Sequence, residues 1–493
     1  MLGFYVHTHW GYHNPYAARS WTIENWWDYL SGLSGLGYDT VMVWPLLDSM
    51  PLRFTPSDRA FLERIGRVIE LAHRQFGMRT IICGNSNVMG NEEAEKYRFE
   101  ERPYFRCEAK LNPASPDGMR VLEEHWRRAF DYLHHTDMFS IIDSDPGGFI
   151  GSTNAEFVEL VRTKVVALRE LNPDVELYYW MHVGWENYNR FWEEARSWQD
   201  PDSRPPIRCD LDVFAETLRL MQERIPEPWG LFVNHPNHFA AAEQLGLTGK
   251  CVHLPYGVVE GEPTFPLTNC NPALLDQALN QPFPGFRPAS VPRGRMGNAQ
   301  THCLQLPHTY LFAHLAQGGS LESADLEGFA GRLLPDCAAL VAQGWSVLET
   351  GDPDRQQSLA DQVERQAAQE QRTGSLRGLL FGDPARFLTD LAMNLRVRAR
   401  LTELGSAIAS RSGIKPAVQA FLRDFRPYQQ RLGFQDAYGG PLYTALNEPL
   451  KALGDLGLNR ALRDFTNWAD PSVRNGALVR LLDALEAFAL RSA

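Results

Sequence analysis

The chain is poor in the features that mark several protein classes. Of 493 residues only seven are cysteine: Cys83, Cys107, Cys209, Cys251, Cys270, Cys303 and Cys337. They are scattered, odd in number and never spaced CxxC, which excludes a disulfide framework and a cysteine zinc site and predicts free thiols. No stretch approaches the roughly 18 consecutive apolar residues of a membrane helix, so no membrane partner is expected. The N-terminal Met-Leu-Gly-Phe-Tyr-Val lacks a basic segment followed by an apolar one, so no secretion signal is read there and the expected location is cytoplasmic. Basic residues are not in excess: the formal net charge is -12. That argues against nucleic acid as a partner, because phosphate binding needs clustered Lys and Arg. No GxGxxG follows the first apolar run, so a doubly wound sheet ranks below a barrel as the fold, and the sequence calls for no cofactor.

What is present is alternation. Short apolar runs at Phe4–His9, Thr40–Pro45, Arg79–Cys83, Met138–Asp143, Val175–His182, Trp229–His235, Lys250–Pro255 and Gly297–Leu306 are separated by longer amphipathic stretches. One such helix is predicted over Ser57–Phe76, with Phe61, Ile65, Val68, Ile69 and Ala72 at helical spacing. A long insertion is read between about 84 and 115. Thr153-Asn-Ala-Glu156 is a capping-box pattern that opens another helix. Eight strand–helix units predict an α/β fold: a (β/α)₈ TIM barrel over residues 1–320. From 321 to 493 strand patterns cease and apolar residues recur at helical spacing, as in Leu388, Leu391, Ala392, Leu395 and Ala399. This second part is expected to be an all-helical domain, either a cap over the site or an interface in a homo-oligomer. The polar run Arg355–Arg372 reads as an exposed helix or linker.

Barrels of this type carry their chemistry at the C-terminal strand ends. Those ends supply His7, His9 and Trp10 after the first strand, Trp44 after the second, and Asn85 and Asn87 after the third. Asp143 and Asp145 follow the fourth, Trp180, His182, Trp185 and Glu186 the fifth, and Asn234 and His235 the sixth. Tyr256, Glu260 and Glu262 follow the seventh, and Asn298, Gln300 and His302 belong to the eighth. Asp143-Ser144-Asp145 is the sharpest signal. Two carboxylates at i and i+2 are expected to interact, one with a raised pKa and one ionised, which yields a general acid beside an anionic helper. The competing interpretation is turn chemistry, since Asp-Pro-Gly-Gly follows. Glu260 and Glu262 are candidates for a base or nucleophile, set against a solvated acidic loop.

His7-Thr8-His9 resembles the start of an amidohydrolase metal site, with His182 and His235 as further ligands. The strand-eight Asp and strand-four Lys of that family are absent from this sequence, so no metal is expected and a metal-dependent hydrolase or isomerase is the alternative. Trp10, Tyr12, Tyr16, Trp21, Trp44, Trp180, Trp185, Tyr188 and Trp192 fall on loops and strand ends. Aromatics mixed with Asn, Gln, His and Asp suit a carbohydrate, whose ring faces stack while its hydroxyls hydrogen-bond.

The pattern resembles (β/α)₈ glycoside hydrolases. The acidic pair after strand four is similar to that of the hexosaminidase and O-GlcNAcase groups, where it serves as acid and as polariser of an acetamido group. The Asp145-Pro-Gly-Gly turn is similar to a segment of α-glucuronidases. Here the pair is Asp-Ser-Asp, not two adjacent acids. The resemblance implies glycosidic-bond cleavage in an oligosaccharide or glycoconjugate, with Asp145 as acid and Asp143 orienting it or stabilising charge. Glu260 or Glu262 would act across the cleft, at roughly 5–5.5 Å for a retaining and roughly 6.5–9.5 Å for an inverting enzyme. A sugar-binding barrel without activity is a third possibility.

Overall fold

A computed structural model describes the chain except for residues 104–105, 145, 196–206, 261–266, 288–289, 434–449, 451–453, 467–475 and 492–493. Eight parallel strands close into a barrel: β1 (Leu2–Val6), β2 (Thr40–Val43), β3 (Arg79–Gly84), β4 (Met138–Ile142), β5 (Glu176–Trp180), β6 (Trp229–Val233), β7 (Cys251–His253) and β8 (Arg295–Ala299). Each strand pairs with its neighbour in sequence, and β8 returns to β1. Central pairs run in continuous register, as in Ile81↔Met138 to Gly84↔Ile141 and Met138↔Glu176 to Ile142↔Trp180. The strands read as continuous apolar runs because both of their faces are covered: every residue of β1, β2, β4 and β6 is buried.

Alternation along the strands sorts side chains into two sets. Tyr5 of β1 meets Trp180 of β5 at 5.7 Å between ring centroids and Trp44 beyond β2 at 6.5 Å, so these rings face the barrel interior. Phe139 of β4 meets Phe130 of the helix Pro116–Leu133 at 5.5 Å, so it faces the helical layer. Ile141 and Asp143 share its parity.

Helix starts follow local chemistry. Thr55 and Asp58 form a capping box with Pro56 at the first helical position, and Thr153 and Glu156 form another before Asn154–Arg169. The insertion after β3 is not featureless: Val88–Gly90 and Glu108–Lys110 pair as an antiparallel ribbon. A buried ion pair ties it down. Arg102 donates to Asp58, to the Ser49 carbonyl at 3.0 Å and to the Ala94 carbonyl at 2.9 Å.

Compactness divides the chain into two units. The barrel unit comprises residues 1–9, 37–256 and 276–298. The helical unit comprises residues 10–36, 257–275 and 299–493. It contains the helices Pro353–Ala367, Pro384–Ser410, Ile414–Leu432 and Ala477–Arg491. Its core joins Trp10, Tyr12 and Tyr16 to Leu401, Phe421, Phe425 and Leu481. At its centre Asp390 accepts from Tyr16 Oη at 2.9 Å, Arg386 at 2.7 Å and Arg431 at 2.8 Å. Arg355–Arg372 is largely the helix Pro353–Ala367, which buries Gln356, Leu359, Ala360 and Val363.

Most of the predicted strands end one to two residues too late, and the first and the eighth need the largest correction. The first strand stops at Val6, not His9, and the eighth runs Arg295–Ala299, not to Leu306. The reason at the eighth is visible. The amides of Gln300 and Thr301, which a continued strand would pair in the sheet, donate instead to the Glu260 carboxylate at 2.5 and 2.6 Å.

Candidate active site

Within the barrel unit the C-terminal ends of β1, β2, β5 and β7 bring together Tyr5, His7, His9, Trp44, Trp180 and Tyr256. His7 Nδ1 lies 3.2 Å from His9 Nδ1, and Tyr256 Oη lies 3.3 Å from His7 Nε2. Two facing Nδ1 atoms at that distance require one protonated and one bare nitrogen. His9 meets the Trp44 ring edge-on at 4.8 Å, and Trp180 meets Tyr256 at 5.6 Å. Trp44 is held in place by its own hydrogen bond from Nε1 to Asp48 at 3.1 Å.

Two buried donors in this region have no partner among the described residues: Trp180 Nε1 and Asn85 Nδ2. Trp180 ends β5 and is 2% exposed; Asn85 follows β3 and is 3% exposed. The Asn85 oxygen is engaged, accepting from the Val88 amide at 3.3 Å. Its backbone carbonyl accepts from Lys164 Nζ at 2.5 Å. Lys164 itself is buried against the Trp126 ring, 4.1 Å from the centroid, and burial pushes its pKa down to about 7. Asn87 is occupied too: its amide donates to the carbonyls of Leu111 at 2.7 Å and Gly148 at 3.2 Å.

Asp143 faces the helical layer and accepts five hydrogen bonds. They come from Ser144 Oγ at 2.6 Å, Tyr179 Oη at 2.8 Å and the amides of His182 at 3.1 Å, Val183 at 3.3 Å and Gly184 at 3.1 Å. Gly184 has φ 90°, a conformation that lets the chain curl its amides around one carboxylate. Ser144 Oγ also lies 3.0 Å from His182 Nδ1. Burial, then the Asp143 charge, pushes the Tyr179 phenol up. Asp145, the other member of the pair, lies outside the described residues, as does Glu262.

Beside this segment lies a cavity of about 480 Å³ bordered by Lys110, Gly147, Gly148, Phe149, Asn189 and Trp192. Gly148 has φ 77°, and a Cβ there would stand 2.6 Å from Asn189 Oδ1, the atom that accepts from the Phe149 amide at 2.8 Å.

Other sequence candidates have different surroundings. Trp185 is fully buried, stacks on Phe157 at 5.1 Å and donates to Ser152 Oγ at 3.1 Å. Glu186 accepts from the Asn154 amide at 2.8 Å and so caps the helix Asn154–Arg169. The Asn234 amide donates to His238 Nδ1 at 3.3 Å, and the Asn237 amide to His235 Nδ1 at 3.2 Å. Asn298 is buried in β8. In the helical unit, Trp10 Nε1 donates to the Gln300 side chain. His302 is enclosed by Trp21 at 5.1 Å and Tyr29 at 5.3 Å, and burial pushes its pKa down to about 3. Glu260 is 2% exposed, so it is not part of a solvated acidic loop. Burial pushes its pKa up to about 7 against the donors from Thr301 and Gln300.

His182 and His235 therefore use their Nδ1 atoms in contacts separate from the His7–His9 pair. Among the described residues no three metal-capable side chains gather in one place. Ser144, Tyr179, Lys164 and His238 were missed in the sequence. The signal for Ser144 was its place between two acids; the others gave none, because a Tyr in a strand and a Lys or His in a helix are ordinary.

No known family model matches the sequence, and no curated protein matches it. Solved structures similar in fold include the Thermobaculum terrenum O-GlcNAc hydrolase, as a mutant, at 13% identity and TM-score 0.39, covering 100% of this chain and 94% of that one. A GH5_18 protein variant from Streptomyces cattleya, in complex with Manβ1-4GlcNAc, has 12% identity and TM-score 0.29, covering 82% and 92%. PhdJ bound to a substrate intermediate has 12% identity and TM-score 0.31, covering 81% and 95%. What is shared with them is architecture alone. The closed barrel of eight parallel strands gives this chain a (β/α)₈ fold, and no described helix is long and apolar enough to cross a membrane.

Proposed function

We propose that the protein is a glycoside hydrolase acting on an oligosaccharide or glycoconjugate, with Asp145 as the general acid that protonates the leaving oxygen. The observation that carries this reading is a pair of buried donors without a partner among the described residues, Asn85 Nδ2 after β3 and Trp180 Nε1 at the end of β5, the latter packed among Tyr5, Trp44 and Tyr256. A buried donor without an acceptor costs about 1–3 kcal/mol. A ligand oxygen at each would offset that cost, and ring faces would stack on the aromatics. Carbohydrates offer both kinds of surface. The 480 Å³ cavity beside the acidic segment falls within the roughly 300–1,000 Å³ of small-ligand sites.

Asp143 is assigned a supporting part. Its oxygens already accept five bonds, so it holds the β4 and β5 ends together in place of exchanging a proton. The test is hydrolysis of a panel of aryl glycosides by the wild type and by Asp145→Asn, with and without a chelator. Activity that survives chelation and falls by orders of magnitude in the variant supports acid catalysis by Asp145. Activity lost to chelation moves the assignment to the histidines, and turnover of no glycoside removes the glycosidase reading.

A further inference from the structure

The hydrogen bonds around Ser144 fix the protonation of a neighbouring ring. Asp143 receives three backbone amides and a phenol, all of them donors. So surrounded, the carboxylate acts as an acceptor at both of its oxygens. The contact between Ser144 Oγ and Asp143 Oδ1 at 2.6 Å therefore uses the serine proton. With that proton committed, Ser144 Oγ meets His182 Nδ1 at 3.0 Å as an acceptor, and Nδ1 carries the hydrogen. In the neutral imidazole the lone pair then sits on Nε2. No described residue hydrogen-bonds that nitrogen, and the ring is half-buried, beyond the end of β5.

The ring is also held from the backbone side. His238, on the helix Pro236–Gln244, accepts the Asn234 amide at Nδ1, which leaves its proton on Nε2 to donate to the His182 carbonyl at 3.1 Å. A line of hydrogen bonds thus runs across three consecutive strand ends: Asp143 after β4, His182 after β5 and Asn234 after β6.

We propose that Asp143 and Ser144 are positioning residues that hold His182 as the Nδ1–H tautomer, making its Nε2 a fixed hydrogen-bond acceptor for a substrate hydroxyl. This assignment of substrate class rests on the glycosidase reading. A bare imidazole nitrogen attracts an O–H and repels the oxygens of carboxylates, sulfates and carbonyls. Asn85 Nδ2 and Trp180 Nε1, at the ends of β3 and β5, present the opposite polarity. Hydroxyls can meet either polarity, because they both give and receive. At the His182 nitrogen itself a hydroxyl is therefore favoured over a carboxylate or sulfate oxygen, which points to a neutral, hydroxyl-bearing sugar at this position.

The tautomer is measurable without any substrate, by two-bond proton–nitrogen correlation on protein labelled with ¹⁵N-histidine at a pH above the imidazole range. The His182 signals are those lost in His182→Asn. They should show a protonated Nδ1 and a bare Nε2 in the wild type, and a mixture of tautomers in Ser144→Ala. A wild-type ring protonated at Nε2 overturns the proposal whether or not the protein is a glycosidase; should His182→Asn not fold, the signals that change in Ser144→Ala supply the assignment. The ligand side is read with p-nitrophenyl glycosides of neutral hexoses and N-acetylhexosamines against p-nitrophenyl β-D-glucuronide. Ser144→Ala should raise KM for the neutral substrate by about tenfold, the worth of one hydrogen bond, and should narrow the preference over the glucuronide. If no glycoside is turned over, the glycosidase reading fails separately, and addition of mannobiose, cellobiose and chitobiose to the labelled protein decides the ligand side. A shift of His182 Nε2 with a neutral sugar supports the acceptor assignment, and none with any of the three overturns it.

Discussion

His238 donates from Nε2 to the carbonyl of His182 at 3.1 Å and accepts the Asn234 amide on Nδ1 at 3.3 Å, so one buried imidazole spans the ends of β5 and β6. Burial pushes its pKa well below the usual imidazole range, which keeps it neutral and able to do both. Replacing it by Phe keeps a ring of similar size but strands a buried carbonyl and a buried amide. Each stranded group costs about 1–3 kcal/mol, so His238→Phe should lose about 2–6 kcal/mol in denaturant unfolding. A loss under about 0.5 kcal/mol would mean that water or a rearranged loop replaces both bonds.

Several other histidines are neutral for the same reason. Burial pushes His125 and His308 down to about 4 and His253 down to about 3. An unfolded chain protonates these rings below about pH 6.5, whereas the folded chain refuses the protons until lower pH. Their contribution to stability is therefore complete above about pH 6.5 and is lost as pH falls from there towards 4. Each adds a slope of up to about 1.4 kcal/mol per pH unit. His253 is the sharpest case, because neither ring nitrogen has a partner among the described residues and the ring packs on Phe286 at 5.1 Å and Phe239 at 6.0 Å. His253→Phe should be neutral or stabilising at pH 7 and should flatten the acid side of the stability curve by one proton's slope. An unchanged acid slope would show that His253 is not a neutral buried group in the folded protein.

The barrel was legible in the sequence because strands covered on both faces keep uninterrupted apolar runs, and Pro or Thr marks many helix starts. The site was legible only as a roster of strand ends. Asp143 stands out beside Asp145, but its partners at 179 and 182–184 are far along the chain, and nothing local says that a carboxylate will be consumed by amides. Parity held a clue: Asp143 continues the Phe139 and Ile141 face, which looks towards the helices. Trp185 and Glu186 follow the same logic. They sit two and three residues past Val183 on a turn into a helix, and there packing on Phe157 and capping of Asn154 decide their surroundings. Trp10 and Tyr12, which follow β1 in sequence, join the core of the helical unit, whose residues come from three separate stretches of chain that no local pattern links.

Lys164 gives a prediction on the alkaline side. Its ammonium donates to the Asn85 carbonyl and lies over Trp126, and burial lowers its pKa from 10.5 to about 7. Between pH 7 and about 10.5 the unfolded chain holds a proton that the folded chain has released, so this group makes stability rise with pH through that window. Below pH 7 both states are protonated and its contribution is flat. Lys164→Met removes the titration while filling similar space. The wild-type curve should climb relative to Lys164→Met from pH 7 to 10 by up to about 1.4 kcal/mol per unit; parallel curves across that range would show that the lysine keeps its ordinary pKa. The same variant frees the Asn85 carbonyl, so binding at the β3 end should weaken even at pH 6, where titration plays no part.

Trp180 separates ligand binding from folding. Its indole packs on Tyr5, Trp44 and Tyr256, while Nε1 donates to no described residue. Trp180→Phe keeps an aromatic ring against those neighbours and deletes the donor. In the free protein the lost packing costs stability, but deletion of an unsatisfied buried donor returns part of it. The net change in unfolding free energy should thus stay within about 1–2 kcal/mol. A bound ligand oxygen, by contrast, loses its only partner at that point, so KM for the best aryl glycoside should rise by about tenfold or more. The comparison is made by measuring Tm and KM on the same preparations. A large fall in Tm with unchanged KM would mean that Nε1 faces packing alone, and the site would then have to be built without the β5 indole.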